Sequence, residues 1–202
     1  MIYEEDYYEH GLETGLSNYQ NYRWIPELTI PMAMTIVDFL SITPDETILD
    51  YGCAKGYLVK ALRWLNRDAY GYDISSYAIR NSDEEIKKYL SGNCSMLERY
   101  FDYIICKDVL EHIPEDELKR LLMTFKGKVL FSVIPLGEEG EYIAPPNGKD
   151  KSHIICKNSD WWLNLFKECN WRHVYTSFKI KGIKDSYYEL YPKAHLFTIH
   201  TK

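Results

Sequence analysis

Apolar positions recur along the chain in two alternating rhythms. Short continuous apolar runs are separated by stretches in which apolar residues return every three or four positions. Residues 1–28 are polar and aromatic and keep no clear period. A helix is predicted next, with Thr29 as its cap, Pro31 in its first turn, and Ala33, Ile36, Val37 and Leu40 on one face. Thr43-Pro44-Asp45-Glu46 reads as a turn, and residues 47–51 as a short strand. A glycine-bearing loop leads into a helix whose Leu58, Ala61, Leu62 and Leu65 form one stripe. Residues 69–72 read as a second strand ending at Asp73. Ser75 or Ser76 then opens a polar helix through about Leu90.

The alternation continues. Residues 93–97 are the expected third strand, and residues 103–106 form the continuous apolar run of a buried parallel strand. A helix over 115–125 gathers Leu118, Leu121, Leu122 and Phe125. Another strand follows at 128–134, then a Gly/Pro-containing loop over about 136–158. Ser159 or Asp160 starts a helix with Trp162, Leu165, Phe166 and Cys169 inward. Two closing strands, near 172–178 and 194–200, flank an irregular segment. Strands alternating with helices predict an α/β fold with a parallel sheet covered on both faces. Ligands of such sheets bind outside the carboxyl ends of the strands, so the chemistry is sought there.

With 202 residues, 46% of them hydrophobic, the chain suits one domain around one core. Lys plus Arg number 24 against 30 Asp plus Glu, a net charge of −6. That balance argues against a broad polyanion-binding surface, and so against extended nucleic acid as a partner. No stretch approaches ~18 uninterrupted apolar residues, so no membrane span is expected. The acidic, aromatic start MIYEEDYYEH is unlike a secretory signal, and the expected location is cytoplasmic. Five cysteines without a CxxC pair suggest reduced thiols. Tyrosine is over-used, and Tyr3, Tyr7, Tyr8, Tyr19, Tyr22 and Trp24 crowd the first 24 residues. Residues with an apolar face and a polar tip suit a lid or a pocket wall.

The most informative stretch is Ile48-Leu49-Asp50-Tyr51-Gly52-Cys53-Ala54-Lys55-Gly56-Tyr57. An acid near the end of a strand is followed by small residues at alternate positions, Gly52, Ala54 and Gly56. These allow a tight turn and a close approach of backbone to ligand. At the next strand end Asp73 can accept both hydroxyls of a ribose. A dinucleotide site would present a third loop glycine and helix N-terminal amides to a pyrophosphate. Here Asp50 stands where it would repel phosphate and orient an ammonium. A nucleoside carrying an amino acid fits that charge logic better than NAD.

This D-x-G-x-A-x-G pattern, with the acid after the second strand, resembles the class I S-adenosylmethionine (SAM)-dependent methyltransferases. The stretch from Phe101 to Pro114, with its Leu110-Glu111-His112-Ile113 turn, is similar to the branch holding small-molecule and ubiquinone-pathway O-methyltransferases. The resemblance spans roughly 45–200. It implies a Rossmann-like three-layer sandwich with a mostly parallel seven-stranded sheet and a reversed last strand. A catalytic core over 45–202 would carry a cap and helix over 1–44. It implies that Asp50, Gly52, Cys53, Ala54, Gly56 and Tyr57 line the methionine and ribose side of SAM. Asp73 would hold the ribose and Ile74 would pack on adenine. Asn93 stands where the family often has an Asp reading the adenine amino group, with the Cys94 backbone at the adenine edge. Lys107 would offer its carbonyl to the methionine amine. Ala54 replaces the commoner glycine.

Methyl transfer from a sulfonium is an in-line displacement, so the protein aligns the acceptor and, for a hydroxyl, removes a proton. His112 and His153 are the candidate bases. Asp108, Glu111, His112 and His153 are candidate ligands of a divalent metal. Their spacing resembles the metal-binding E-x-x-E-H stretch of ubiquinone-pathway O-methyltransferases and of small-RNA 2′-O-methyltransferases. Asp108 is shorter than the Glu of that pattern, and metal-free relatives also carry L-E-H, so the metal is the lesser expectation. The acceptor is expected between residues 1–24 and the 136–158 loop, with Tyr8, Tyr19, Tyr22, Arg23 and Trp24 as its walls. Those segments lack a basic run, which favours a small-molecule or saccharide-like acceptor, methylated at O or N. The alternatives are a short RNA end or a non-catalytic SAM-binding partner protein. The oligomeric state is left open.

Overall fold

The computed structural model describes residues 3–202. Its main sheet is built from β1 (Thr47–Tyr51), β2 (Asp68–Tyr72), β3 (Leu90–Ser91), β4 (Phe101–Lys107) and β5 (Gly127–Pro135). After a small hairpin of β6 (Gly137–Glu138) and β7 (Glu141–Tyr142), β8 (Arg172–Ser177) and β9 (His195–Thr201) complete it. The seven strands lie in the order β3-β2-β1-β4-β5-β9-β8. All neighbours are parallel except β9, which runs against both β5 and β8. The expected seven-stranded sheet with a reversed last strand is present.

Each face of the sheet is buried by helices whose apolar stripes were legible in the sequence. On one face α3 (Pro26–Leu40) and α4 (Tyr57–Trp64) bring Ile36, Leu58 and Leu62 against Ile48, Ile105 and Phe131. On the other, α7 (Glu115–Thr124) and α8 (Ser159–Glu168) bring Leu118, Leu122, Trp162 and Phe166 against Leu49, Ile104 and Leu130. The central strands are apolar on both faces because both faces are covered. No helix among the described residues is long and apolar enough to cross a membrane. The five cysteines are free thiols.

Several local readings change. The helix expected to start at Thr29 starts at Pro26, with Ile25 as its cap; Thr29 is buried and Pro31 lies inside the helix. Pro26 takes the first helical position, where a missing N–H costs nothing. The third strand is Leu90–Ser91 and not 93–97. Leu90 is a buried apolar residue that pairs beside Gly71, whereas the Asn93 side-chain carbonyl accepts the Ser95 amide and opens a 3-10 turn, Cys94–Glu98. The long polar helix splits into α5 (Ser76–Arg80) and α6 (Glu84–Lys87) at Asn81-Ser82-Asp83, side chains that compete for backbone hydrogen bonds. Ser75 caps α5 by accepting the Ala78 amide. Finally, the aperiodic start contains α1 (Glu5–Glu9) and α2 (Gly11–Thr14), and the last irregular segment contains α9 (Asp185–Leu190).

The strand order reverses between β1 and β4, whose carboxyl ends therefore splay into a crevice. Into it point the loop after β1, the acid after β2 and the Asp108–His112 turn after β4.

Candidate active site

The loop after β1 folds back on β2, where the amides of Gly52 and Cys53 both donate to the Tyr72 carbonyl. Gly52 and Ala54 take left-handed backbone, with φ of 81° and 50°. For alanine that conformation costs roughly 1–2 kcal/mol. Asp73 holds it in place: its Oδ2 accepts the Ala54 amide at 2.7 Å and its Oδ1 the Ser75 amide at 2.8 Å. Burial raises the Asp73 pKa and the two amides pull it back. Each carboxylate oxygen keeps a further lone pair for a ligand.

Two cavities, of about 480 and 470 Å³, meet at Gly52 and Ala54 and share Tyr19 and Asp108. The first is lined by Asp73, Ile74, Cys94, Leu97, Val109 and His112. The second is lined by Asp50, Cys53, Tyr57, Lys107, Lys184 and Tyr187. A Cβ at Gly52 would come within 2.4 Å of Val109 Cγ2, so only glycine lets the loop and the turn after β4 approach this closely. Burial raises the pKa of Asp50 to about 7, against the pull of Lys107.

Two sequence-derived cofactor residues lie elsewhere. Asn93 uses its side-chain carbonyl as a turn cap and lines neither cavity. Gly56, the cap of α4 at φ 76°, faces the core: a Cβ there would meet Leu90 Cδ1 at 2.6 Å and Ile86 Cδ1 at 2.8 Å. Gly56→Val is therefore expected to act on stability. A denaturant titration should show a loss of roughly 2 kcal/mol or more, from overpacking plus backbone strain.

Tyrosines roof the crevice. Tyr3, Tyr7, Tyr8 and Tyr19 line the first cavity; Tyr19, Tyr22 and Arg23 line the second. Trp24 packs outside, on Tyr57 and Trp64. The roof is tied down by Lys55, whose ammonium reaches Glu9 at 2.5 Å and the Tyr22 carbonyl at 2.8 Å. It is also stitched to the 136–158 loop. The Tyr7 hydroxyl donates to Asp150, the Asn18 side chain to the Pro146 carbonyl, and the Lys151 amide to the Leu16 carbonyl.

The turn after β4 separates the proposed metal ligands. Asp108 Oδ2 lies 2.6 Å from Lys107 Nζ and 2.7 Å from Lys184 Nζ. Burial opposes its charge, but the two ammoniums hold its pKa far below the usual range. Glu111, His112 and His153 stand together instead, with one ligand atom from each within 4.8 Å of the others. The Glu111 side chain is fully buried and neither of its oxygens has a hydrogen-bond partner among the described residues. Both histidine Nε2 atoms lie 3.7 Å from its Oε1. Burial pushes its pKa well up.

His112 lines the first cavity; His153 lines neither. His112 Nδ1 is 2.8 Å from Ser152 Oγ, which donates to Asp150 Oδ1 at 2.5 Å. With its proton given to Asp150, Ser152 accepts from Nδ1–H, which leaves the Nε2 lone pair of His112 free. Burial and the neighbouring His153 lower the His112 pKa to about 4, so the ring is neutral at pH 7 and can take a proton.

Sequence reasoning missed Asp150, Ser152, Lys184 and His195. His195 is buried at the start of β9, with Nε2 unpartnered among the described residues. None of the four lies in a motif; only the fold brings them around the turn after β4.

The family model described as "Methyltransferase domain" matches residues 31–183, well over half of the chain. The chain belongs to the methyltransferase domain family. Solved structures agree with the fold. This methyltransferase superposes on a SAM-dependent methyltransferase from Archaeoglobus fulgidus with a TM-score of 0.64 at 14% identity, over 84% of this chain and 92% of that one. A SAM-dependent methyltransferase from Methanosarcina mazei gives 0.61 at 19%, over 82% and 96%. Magnesium protoporphyrin IX methyltransferase from Synechocystis, solved with bound SAM, gives 0.58 at 15%, over 85% and 76%. At these identities the likeness is one of fold: the methyltransferase has the class I architecture of SAM-dependent methyltransferases. A search of curated proteins finds no match.

Proposed function

We propose that the methyltransferase binds SAM across the two cavities and methylates an oxygen or nitrogen of a small molecule held under the tyrosine roof. The buried Asp73 carboxylate carries this reading. It is 7% exposed, held by two backbone amides and placed on the wall of the first cavity, as a ribose clamp requires. Ile74, Cys94 and Leu97 would flank the adenine. In the second cavity Asp50 would face the methionine ammonium and Lys107 its carboxylate. Bound SAM supplies an electrophilic methyl group: an acceptor lone pair forms the new bond as the C–S bond breaks, and its electrons stay on sulfur to leave neutral S-adenosylhomocysteine.

The chain's own part is alignment and proton removal. His112 Nε2 takes the acceptor proton, and Ser152 and Asp150 hold the ring in the required tautomer. Over a bound acceptor the tyrosine roof would shield the reacting atoms from bulk water. Incubating the protein with SAM and a panel of small hydroxylated and amino compounds should release S-adenosylhomocysteine with at least one of them. Absence of binding of both SAM and S-adenosylhomocysteine in calorimetry would overturn the reading.

One observation favours a second version. An unpartnered, fully buried carboxylate facing two neutral imidazoles is a donor set that suits a divalent cation. Glu111, His112 and His153 would hold it, and it would acidify an acceptor hydroxyl. Asp108 stays with its lysines in this version. It predicts that a chelator abolishes turnover, that Mg²⁺ or Mn²⁺ restores it, and that Glu111→Gln behaves like the chelated protein. Full turnover in the chelator leaves His112 as a metal-free base.

A further inference from the structure

Lys184 and Lys107 share one partner. Both ammoniums sit on the same Asp108 oxygen, at 2.7 and 2.6 Å. Each ammonium carries three donors, and no second hydrogen-bond acceptor engages either among the described residues. Both line the second cavity. Beside them His195 is buried, and burial together with Lys184 pushes its pKa to about 3, so it stays neutral and adds no third positive charge. Asp108 and Lys184 also both hold left-handed backbone, with φ of 52° and 60°.

The second cavity, at about 470 Å³, lies in the range that holds a drug-sized ligand, which leaves room beyond the methionine end of the cofactor. Asp50 and Lys107 come from β1 and β4, the strands that build the cofactor crevice. Lys184 instead comes from the segment between β8 and β9, just past residue 183, where the family match ends. Tyr187, one turn on in α9, lines the same cavity.

We infer that Lys184 receives a carboxylate of the acceptor, so that the substrate of this methyltransferase is an anionic small molecule. The inference rests on the proposed function, in which Lys107 serves the cofactor and Lys184 is left for the acceptor. The spare ammonium donors would hydrogen-bond the carboxylate, and the Tyr187 side chain would wall the body of the molecule.

The test uses the full chain saturated with S-adenosylhomocysteine. Hydroxybenzoate isomers and their neutral methyl esters are titrated by calorimetry, and sulfate is titrated by thermal melt at constant ionic strength. The wild type should bind an acid roughly 10-fold or more tighter than its ester, and sulfate should raise the melting temperature saturably. Lys184→Gln should erase both effects and Lys184→Arg should keep them. S-adenosylhomocysteine affinity should be unchanged in both variants. Equal affinity for acid and ester, or no saturable binding of acids or sulfate to the wild type, overturns the inference. So does a Lys184→Gln variant that loses S-adenosylhomocysteine but keeps 5′-methylthioadenosine, since the lysine would then serve the cofactor's own carboxylate. If the wild type binds no S-adenosylhomocysteine at all, the cofactor reading fails, and sulfate titration of the unliganded protein still reads Lys184.

Discussion

His112→Ala is expected to lower turnover by ~10²–10⁴-fold while leaving S-adenosylhomocysteine affinity essentially unchanged. The ring lines the first cavity, beside which the proposed acceptor would sit, and its Nε2 is the nitrogen that the Ser152–Asp150 relay leaves free. His153 packs edge-on against His112 and lines neither cavity, so its loss should matter less unless a metal joins the three. The pH profile gives an independent reading. The His112 pKa is depressed by burial and by His153 to about 4, so the neutral, active form persists as pH falls from 8 to 6. The acid limb of kcat/KM should lie well below the ordinary imidazole range, with activity lost as the ring protonates. Wild-type kinetics with an acid limb at ~6.5 would place the proton acceptor elsewhere.

Asp73→Ala is expected to weaken S-adenosylhomocysteine binding by roughly 10- to 150-fold, the cost of hydrogen bonds to a charged group. Two things are lost together. The ribose hydroxyls would lose their acceptor, and the amides of Ala54 and Ser75 lose theirs, which frees the strained Ala54 turn. Asp73→Asn separates the two, since its side-chain oxygen can still accept one amide. Calorimetry on all three proteins, with thermal melts as a control for folding, checks the assignment. Unchanged affinity in the alanine variant would remove Asp73 from the cofactor site.

Where an element rests on a repeated local pattern, sequence and structure agree closely. The strand over 47–51 and the helix stripes of Leu58–Leu62 and Leu118–Leu122 are set by apolar side chains that must leave water together. Where short polar side chains bargain with the backbone, the local reading goes astray. Asn93 looks like strand and makes a cap, and Asn81-Ser82-Asp83 interrupts a helix. The N-terminal tyrosines show no period because they pack on one another and not on a sheet. Tyr7, Tyr8 and Tyr19 make edge and stacked contacts across separate turns.

The candidate site divides in the same way. Gly52 and Ala54 were legible because a tight turn between adjacent parallel strands favours small residues, and Asp50 and Asp73 because each is an acid at or near the end of a strand. Gly56 belonged to the same pattern, yet its Cβ position faces Leu90, so the pattern recorded a packing need there and not a ligand.

Periodicity and neighbouring residues were enough to read the α/β alternation, most strands, the apolar stripes of the covering helices and the small-residue loop after β1. Which acid keeps which partner is set by three-dimensional packing. Asp108 and Glu111 are three residues apart in one turn, yet Asp108 is held by its neighbour Lys107 and by Lys184 from a segment 76 residues on, while Glu111 is sealed beside two histidines with no donor among the described residues. Charge and proton affinity in a buried site follow from distances to groups that the chain brings from afar, and no local spacing encodes those distances.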